Sequence, residues 1–229
     1  SNIPIILTAS PEDIAQNGSA YVGYINDFLK EPFEESELLM RVKMQLERHT
    51  MLQEMHKAQT RIQSELLEAR NMLIGLIPNP QQIAYIEHRS KLFISYHIEP
   101  SNELGGDYYA MTEIQDGQFA NFTWDFAGHG VSSAINTFRL HSIINNNIKR
   151  FLGDPGQTLG KLNTSLRKLL RPDQYATMFY SIIDTERQEI RYACAGGTTP
   201  YLISLQRSEI APLESRGFPL GTVDAPDYE

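Results

Sequence analysis

No proline or glycine interrupts residues 34–74. Within that stretch Leu39, Val42, Leu46 and His49 are spaced 3-4-3. Leu52, Met55, Gln59, Ile62, Leu66, Ala69, Leu73 and Leu76 continue the spacing, after one slip between His49 and Leu52. A 3-4 alternation of apolar positions puts one stripe on one side of a helix, the seam of a coiled coil. A helix of this length spans ~60 Å at 1.5 Å per residue. So long a stripe cannot be buried by a small neighbour, and the pattern predicts parallel dimerisation through a helical coiled-coil linker, residues 34–77. Gly75, Pro78 and Pro80 end it, because glycine and proline do not continue a helix.

The segment before the linker reads as strand, helix, strand. Ile3–Ser10 is an apolar run ending in small hydroxyl residues, Pro11–Ser19 carries helix-starting residues, and Tyr24–Leu29 is a second apolar run. Such a unit needs further strands to close a sheet. Thr8-Ala9 and Asp27-Phe28-Leu29-Lys30-Glu31-Pro32-Phe33 resemble the last third of a response-regulator receiver domain. Residues 1–33 are therefore expected to be the C-terminal part of a receiver, a partial doubly wound α/β sheet. The family's phosphoacceptor aspartate and acidic pair would lie upstream, and Glu31 stands where the family has a lysine before the proline.

The segment after the linker holds the chemistry. Glu103-Leu104-Gly105-Gly106-Asp107-Tyr108-Tyr109 leads through an Asp116-Gly117 turn to Trp124-Asp125-Phe126-Ala127-Gly128-His129-Gly130. Asp-Gly between alternating apolar residues is a hairpin signal. It brings Asp107 and Asp125 to one end of the ribbon. With a strict two-residue turn Asp107 falls opposite Phe126 and the carboxylates point to opposite faces. A longer loop or a bulge sets them on one face. Paired carboxylates beside open backbone suit a hard cation such as Mg2+ or Mn2+.

Further strands are expected at Leu92–Ile98, Ala176–Asp184, Glu189–Ala195 and Pro200–Leu205, beside Asp107–Ile114 and Gln118–Phe126 of the hairpin. Helices are expected at Val131–Phe151 and Thr158–Leu170. Val131, Ala134, Ile135, Phe138, Ile144, Ile148 and Phe151 form the first one's apolar stripe. Strands interleaved with two helices suggest packed antiparallel sheets flanked by helices, an α+β arrangement.

Composition narrows the partners. The formal charge of −8 argues against a nucleic-acid surface. No run of 18 apolar residues is present, so no membrane span is expected. The single cysteine, Cys194, forms no internal disulfide and fits a reducing cytoplasm.

The ordered set of motifs resembles the PPM (PP2C-like) serine/threonine phosphatases in their bacterial SpoIIE/RsbU branch. It comprises Leu76-Ile77-Pro78, Gly105-Gly106-Asp107-Tyr108-Tyr109, Asp125 followed by Gly128-His129-Gly130, Tyr175–Phe179, Tyr192–Gly196 and Phe218-Pro219-Leu220-Gly221. The resemblance implies an αββα sandwich over residues 78–229 and a metal-dependent protein phosphatase. It implies two Mn2+ or Mg2+ ions that activate a water for in-line attack on phosphorus. Asp125 would bridge the ions, the carbonyl of Phe126 would be a second ligand, and Asp107 would bind directly or through water. Gly128 and Gly130 would form a phosphate-proximal loop into the following helix. His129 would donate a proton to the leaving serine oxygen, or serve as a structural histidine. Gly197 stands where the family often has a histidine. The remaining ligands of the resembled family, an Asp-Gly and a later Asp, should follow Gly221 by tens of residues, so the domain is expected to be truncated at its C-terminus. Asp224 and Asp227 come too early for that role.

The resemblance further implies a phosphorylated STAS-type anti-sigma-factor antagonist as substrate, under control of the receiver. A rival reading is a non-catalytic dimeric signalling adaptor that keeps the phosphatase fold.

Overall fold

The computed structural model describes residues 3–21, 23–99, 104–147, 153–214 and 216–228. The chain divides into two units, Ser1–Glu65 and Leu66–Glu229.

In the first unit β1 (Ile6–Ala9) pairs in parallel with β2 (Asp27–Lys30), with Thr8 opposite Leu29. The helix α1 (Pro11–Tyr21) connects them. Ser10 starts α1: its hydroxyl accepts from the Asp13 N–H at 3.2 Å, satisfying a donor that the first turn leaves free. Leu29 is fully buried. The helix α2 (Glu35–Ile74) follows. Its first turns are fastened to β2 by Arg41, whose guanidinium meets Asp27 at 3.0 Å and Glu37 at 3.0 Å. The expected helix is thus one unbroken element of 40 residues, and it buries none of them.

The second unit takes in the end of α2 and the helix α3 (Pro80–Ser90), which the apolar periodicity alone did not predict. Its signal is a capping box. The Asn79 side chain accepts from the Gln82 N–H at 2.9 Å, the Gln82 side chain accepts from the Asn79 N–H at 2.9 Å, and Pro80 takes the first turn.

Four antiparallel strands make the main sheet in the order β3 (Tyr108–Gln115), β4 (Gln118–Phe126), β5 (Ala176–Asp184), β6 (Glu189–Ala195). Side chains alternate across it. Phe122, Trp124, Phe126, Met178, Tyr180 and Ile182 all point to one face. Against that face pack Leu140 and Ile144 of α4 (Val131–Asn147) and Leu159, Leu162 and Leu166 of α5 (Pro155–Arg167). Phe122 stacks on Tyr180 with ring centroids 4.5 Å apart. Of the expected stripe of α4, Ala134 and Ile144 are buried while Val131 and Ile135 are exposed, and Ser133, Asn136, Thr137 and Leu140 are buried beside them. Polar residues can face inward because they find partners there, the Thr137 hydroxyl donating to the Gly106 carbonyl at 3.1 Å. Ile148 and Phe151 lie outside the described residues.

On the opposite face of the sheet Met111 and Phe119 are covered by Ile86 of α3 and by Leu92 and Ile94. Residues 92–98, expected as a strand, form no ladder. The Ile94 N–H donates to the Glu87 carboxylate at 2.7 Å instead, so a side chain takes the place of a neighbouring strand. A separate two-stranded ribbon pairs β7 (Tyr201–Ser204) with β8 (Glu209–Pro212), the second of which was not foreseen. The Phe218–Gly221 motif ties the unit together. Leu220 is fully buried and exchanges both backbone hydrogen bonds with Ala176, at 2.8 and 3.0 Å. The Gly221 N–H donates to the Asn163 side chain of α5 at 2.7 Å.

Candidate active site

The register of the hairpin decides the site. Gln115 pairs with Gln118 across the two-residue Asp116-Gly117 turn, where Gly117 takes a φ of 74°. Glu113 pairs with Phe119, so two residues of β3 advance against one of β4 and Ile114 is the extra residue of a β-bulge. From there the pairing runs without interruption to Tyr108 opposite Trp124. One place further it sets Asp107 opposite Asp125. The ladder reaches that far, since the Phe126 N–H donates to the Gly106 carbonyl at 3.3 Å. The turn is the strict one that would separate the carboxylates, and the bulge reverses its effect.

Asp107 and Asp125 both line a cleft of about 750 Å3 on the sheet face away from α4 and α5. Thr177 of β5 lies directly across from Asp125 and continues the row. The walls are Tyr96 and His97 on one side and Gly196 and Gly197 on the other. Tyr96 stacks on Tyr109 at 5.2 Å, holding the 92–98 segment over the sheet. A Cβ at Gly197 would stand 3.3 Å from the Thr177 side chain, and its φ of 87° disfavours any residue that has one.

Burial raises the Asp125 carboxyl above the ordinary aspartate range, and the charge of Asp107 raises it further. Two carboxylates in one cleft repel each other, and a bound cation would relieve that cost. Gly106 is needed for the approach: a Cβ there would come within 2.6 Å of the Phe126 carbonyl oxygen. The loop after Phe126 is stitched by Ala127 N–H to the Tyr175 carbonyl at 2.9 Å and Gly130 N–H to the Leu104 carbonyl at 3.1 Å. Gly128 and Gly130 adopt φ of 91° and 81° to make the turn into α4. His129 between them is exposed and does not line the cleft. The structure therefore brings together Asp107 and Asp125, whereas Phe126, Gly128, His129 and Gly130 do not line the cleft. Glu103 lies outside the described residues.

Asp107 and Asp125 offer hard carboxylate oxygens that fit Mg2+ or Mn2+ with water completing the shell, and Glu99 lines the same cleft. Among the described residues no group of three or more His, Cys, Asp or Glu is placed to hold a metal. Asp224 is engaged elsewhere, paired with Arg167 at 2.6 Å. Among the described residues no helix is long and apolar enough to cross a membrane.

The sequence profile of the Stage II sporulation protein E (SpoIIE) family matches residues 115–229. The chain belongs to the SpoIIE family. It is 34% identical over 107 residues to phosphoserine phosphatase RsbP of Bacillus subtilis (strain 168), covering 45% of this chain and 26% of RsbP. It is 25% identical over 135 residues to phosphoserine phosphatase RsbU of the same organism, covering 57% of this chain and 38% of RsbU. The match thus spans well under half the length of either relative. Among solved structures, the SiaA-PP2C domain of Pseudomonas aeruginosa superposes with a TM-score of 0.60 at 25% identity, over 75% of this chain and 67% of that one. The family's PP2C-like fold is thereby the fold of this chain, with the long helix α2 ahead of it.

Proposed function

We propose that this SpoIIE-family chain is a metal-dependent protein phosphatase acting on phosphoserine or phosphothreonine. The observation that carries the reading is the bulge at Ile114, which sets Asp107 beside Asp125 in one cleft. In this reading Asp107, Asp125 and the Phe126 carbonyl hold Mn2+ or Mg2+. A divalent ion bound there would neutralise phosphoryl oxygens and activate a water as nucleophile. The chain's own residues do the rest. Asp125 keeps its charge in the presence of the cation. Gly106 lets two backbones close on one another. The Gly128–Gly130 turn aims the first N–H groups of α4 toward the phosphate side. His129 is proposed as proton donor to the leaving serine oxygen.

The two curated relatives are phosphoserine phosphatases by name, which supports a phosphoprotein substrate. We infer a STAS-type anti-sigma-factor antagonist, by family analogy alone. The parallel pair β1–β2 linked by α1 supports a receiver remnant in residues 1–33, with control passing through a dimeric linker in residues 34–77 and the phosphatase domain in residues 78–229. The buried lone Cys194 is in keeping with the cytoplasm.

Asp125→Ala should abolish Mn2+-dependent turnover of a phosphoserine peptide while leaving the far-UV circular dichroism unchanged. Undiminished turnover rejects the site. Among the described residues no group of three or more His, Cys, Asp or Glu is placed to hold a metal, which favours a second reading, a non-catalytic adaptor. That reading predicts no turnover in the unaltered chain at any Mn2+ concentration.

A further inference from the structure

Asp107 borders two spaces. One is the cleft it shares with Asp125. The other is a small cavity of about 30 Å3 enclosed by Arg70, Leu73, Ile77, Leu104, Asp107 and Tyr108 among others. Among the described residues Asp107 contributes the only carboxylate to its lining. Arg70 sits near the end of α2, and its Nε is buried with no hydrogen-bond partner among the described residues. A guanidinium N–H removed from water without an acceptor is costly, so its surroundings favour any acceptor it can reach.

We propose that Arg70 is a positioning residue for Asp107: its guanidinium draws the Asp107 carboxylate toward the small cavity and competes with the divalent cation for it. This rests on the reading of Asp107 and Asp125 as cation ligands. The charges agree. Without a cation Asp107 and Asp125 repel across the ladder, and turning Asp107 toward Arg70 separates them. The planar fork of arginine matches a carboxylate through two parallel hydrogen bonds. One carboxylate cannot serve the fork and the cation with the same oxygens. Cation binding and the Arg70–Asp107 pair are therefore reciprocally coupled: the pair weakens cation binding by the same factor as the cation weakens the pair.

The test is a Mn2+ titration of the whole 229-residue chain, followed by electron paramagnetic resonance of the free ion. Arg70→Gln should tighten Mn2+ binding by roughly two- to ten-fold, the range of a partly exposed ion pair. The gain should vanish in an Asp107→Asn background, where there is no carboxylate to compete for. Unchanged or weaker binding by a folded Arg70→Gln protein overturns the proposal. If that variant does not fold, Arg70→Lys decides: it keeps the charge but loses the fork, and should tighten binding by a smaller factor, whereas an unchanged affinity overturns the proposal. Asp125→Ala separates the two levels. Loss of Mn2+ binding in Asp125→Ala with no change in Arg70→Gln removes the role of Arg70 alone. Mn2+ binding untouched by Asp125→Ala removes the site itself, and the role of Arg70 with it.

Discussion

Helices α2 and α5 follow opposite logics. α5 has 13 residues, begins with Asp154 accepting from the Gln157 N–H at 3.0 Å, and buries six of its side chains. α2 has 40 residues and buries none. Both carry apolar residues at helical spacing. The difference is that α5 has a sheet beneath it, with Leu159, Leu162 and Leu166 against Met178 and Tyr180, whereas Leu39, Leu46, Leu52 and Ile62 of α2 are more than half exposed. Helical stability in proteins comes chiefly from packing of the apolar face rather than from propensity. The stripe that α2 leaves exposed is the one the proposed dimer would cover, and the stripe of α5 needs no such partner.

The largest expected effect lies on the packed side of this comparison. Leu162→Ala removes a fully buried side chain from between α5 and the sheet. It should cost about 2–5 kcal/mol in denaturant unfolding, transfer and cavity terms together. A cost below about 1 kcal/mol would mean that α5 is held by something other than its core contacts. The next effect lies on α2. Light scattering should show a dimer, and Leu46→Ala with Leu52→Ala should shift it toward monomer by about 1–3 kcal/mol while leaving unfolding of the second unit unchanged. A monomeric unaltered chain would break the comparison, since the α2 stripe would then need no partner.

The smallest effect concerns α4, which lies between these extremes. Burial holds the His141 imidazole below the ordinary histidine value of 6.5, and its ring meets Tyr108 edge-on at 5.4 Å. A depressed value in the folded state means that the unfolded chain binds the proton more readily. The stability from this group is present above pH 6.5 and is lost as pH falls through the folded value. Differential scanning calorimetry should find His141→Gln lessening the acid-side fall in Tm by about 1–3 °C. An identical fall in both proteins would remove His141 as its source.

Much of this was legible in the residues. β4, β5 and β6 fall where period-two alternation placed them, because a sheet with one covered face leaves that signature. α2 was legible from the absence of breakers. α3 was written in its cap rather than its stripe, Asn79 and Gln82 being the readable sign. Residues 92–98 have strand composition but no partner ladder, and pairing is a tertiary fact that composition does not carry. The two carboxylates were legible as a pair, but not their face. Ile114 is an ordinary strand residue, with neither glycine nor proline to announce a bulge. Arg70 was invisible for a similar reason: on a helix rich in charge, nothing local marks the one whose Nε ends up dry.

Next to that bulge, Glu113 accepts from Arg89 at 2.7 Å and from the Tyr85 hydroxyl at 3.0 Å, and Arg89 also holds Asp116 at 2.7 Å. The clamp fixes a count rather than a shape. Whether the two aspartates meet depends on odd or even, on how many residues β3 spends against β4, and scarcely on which residue Ile114 is. Such a site behaves like a reading frame. Substitutions along the hairpin act as missense changes, each graded by what it packs against. Pairing Ile114 into the ladder, with nothing removed, acts as a frameshift: every side chain upstream in β3 meets β4 one place out of step, and the carboxylate partnership is lost although both aspartates remain in the chain.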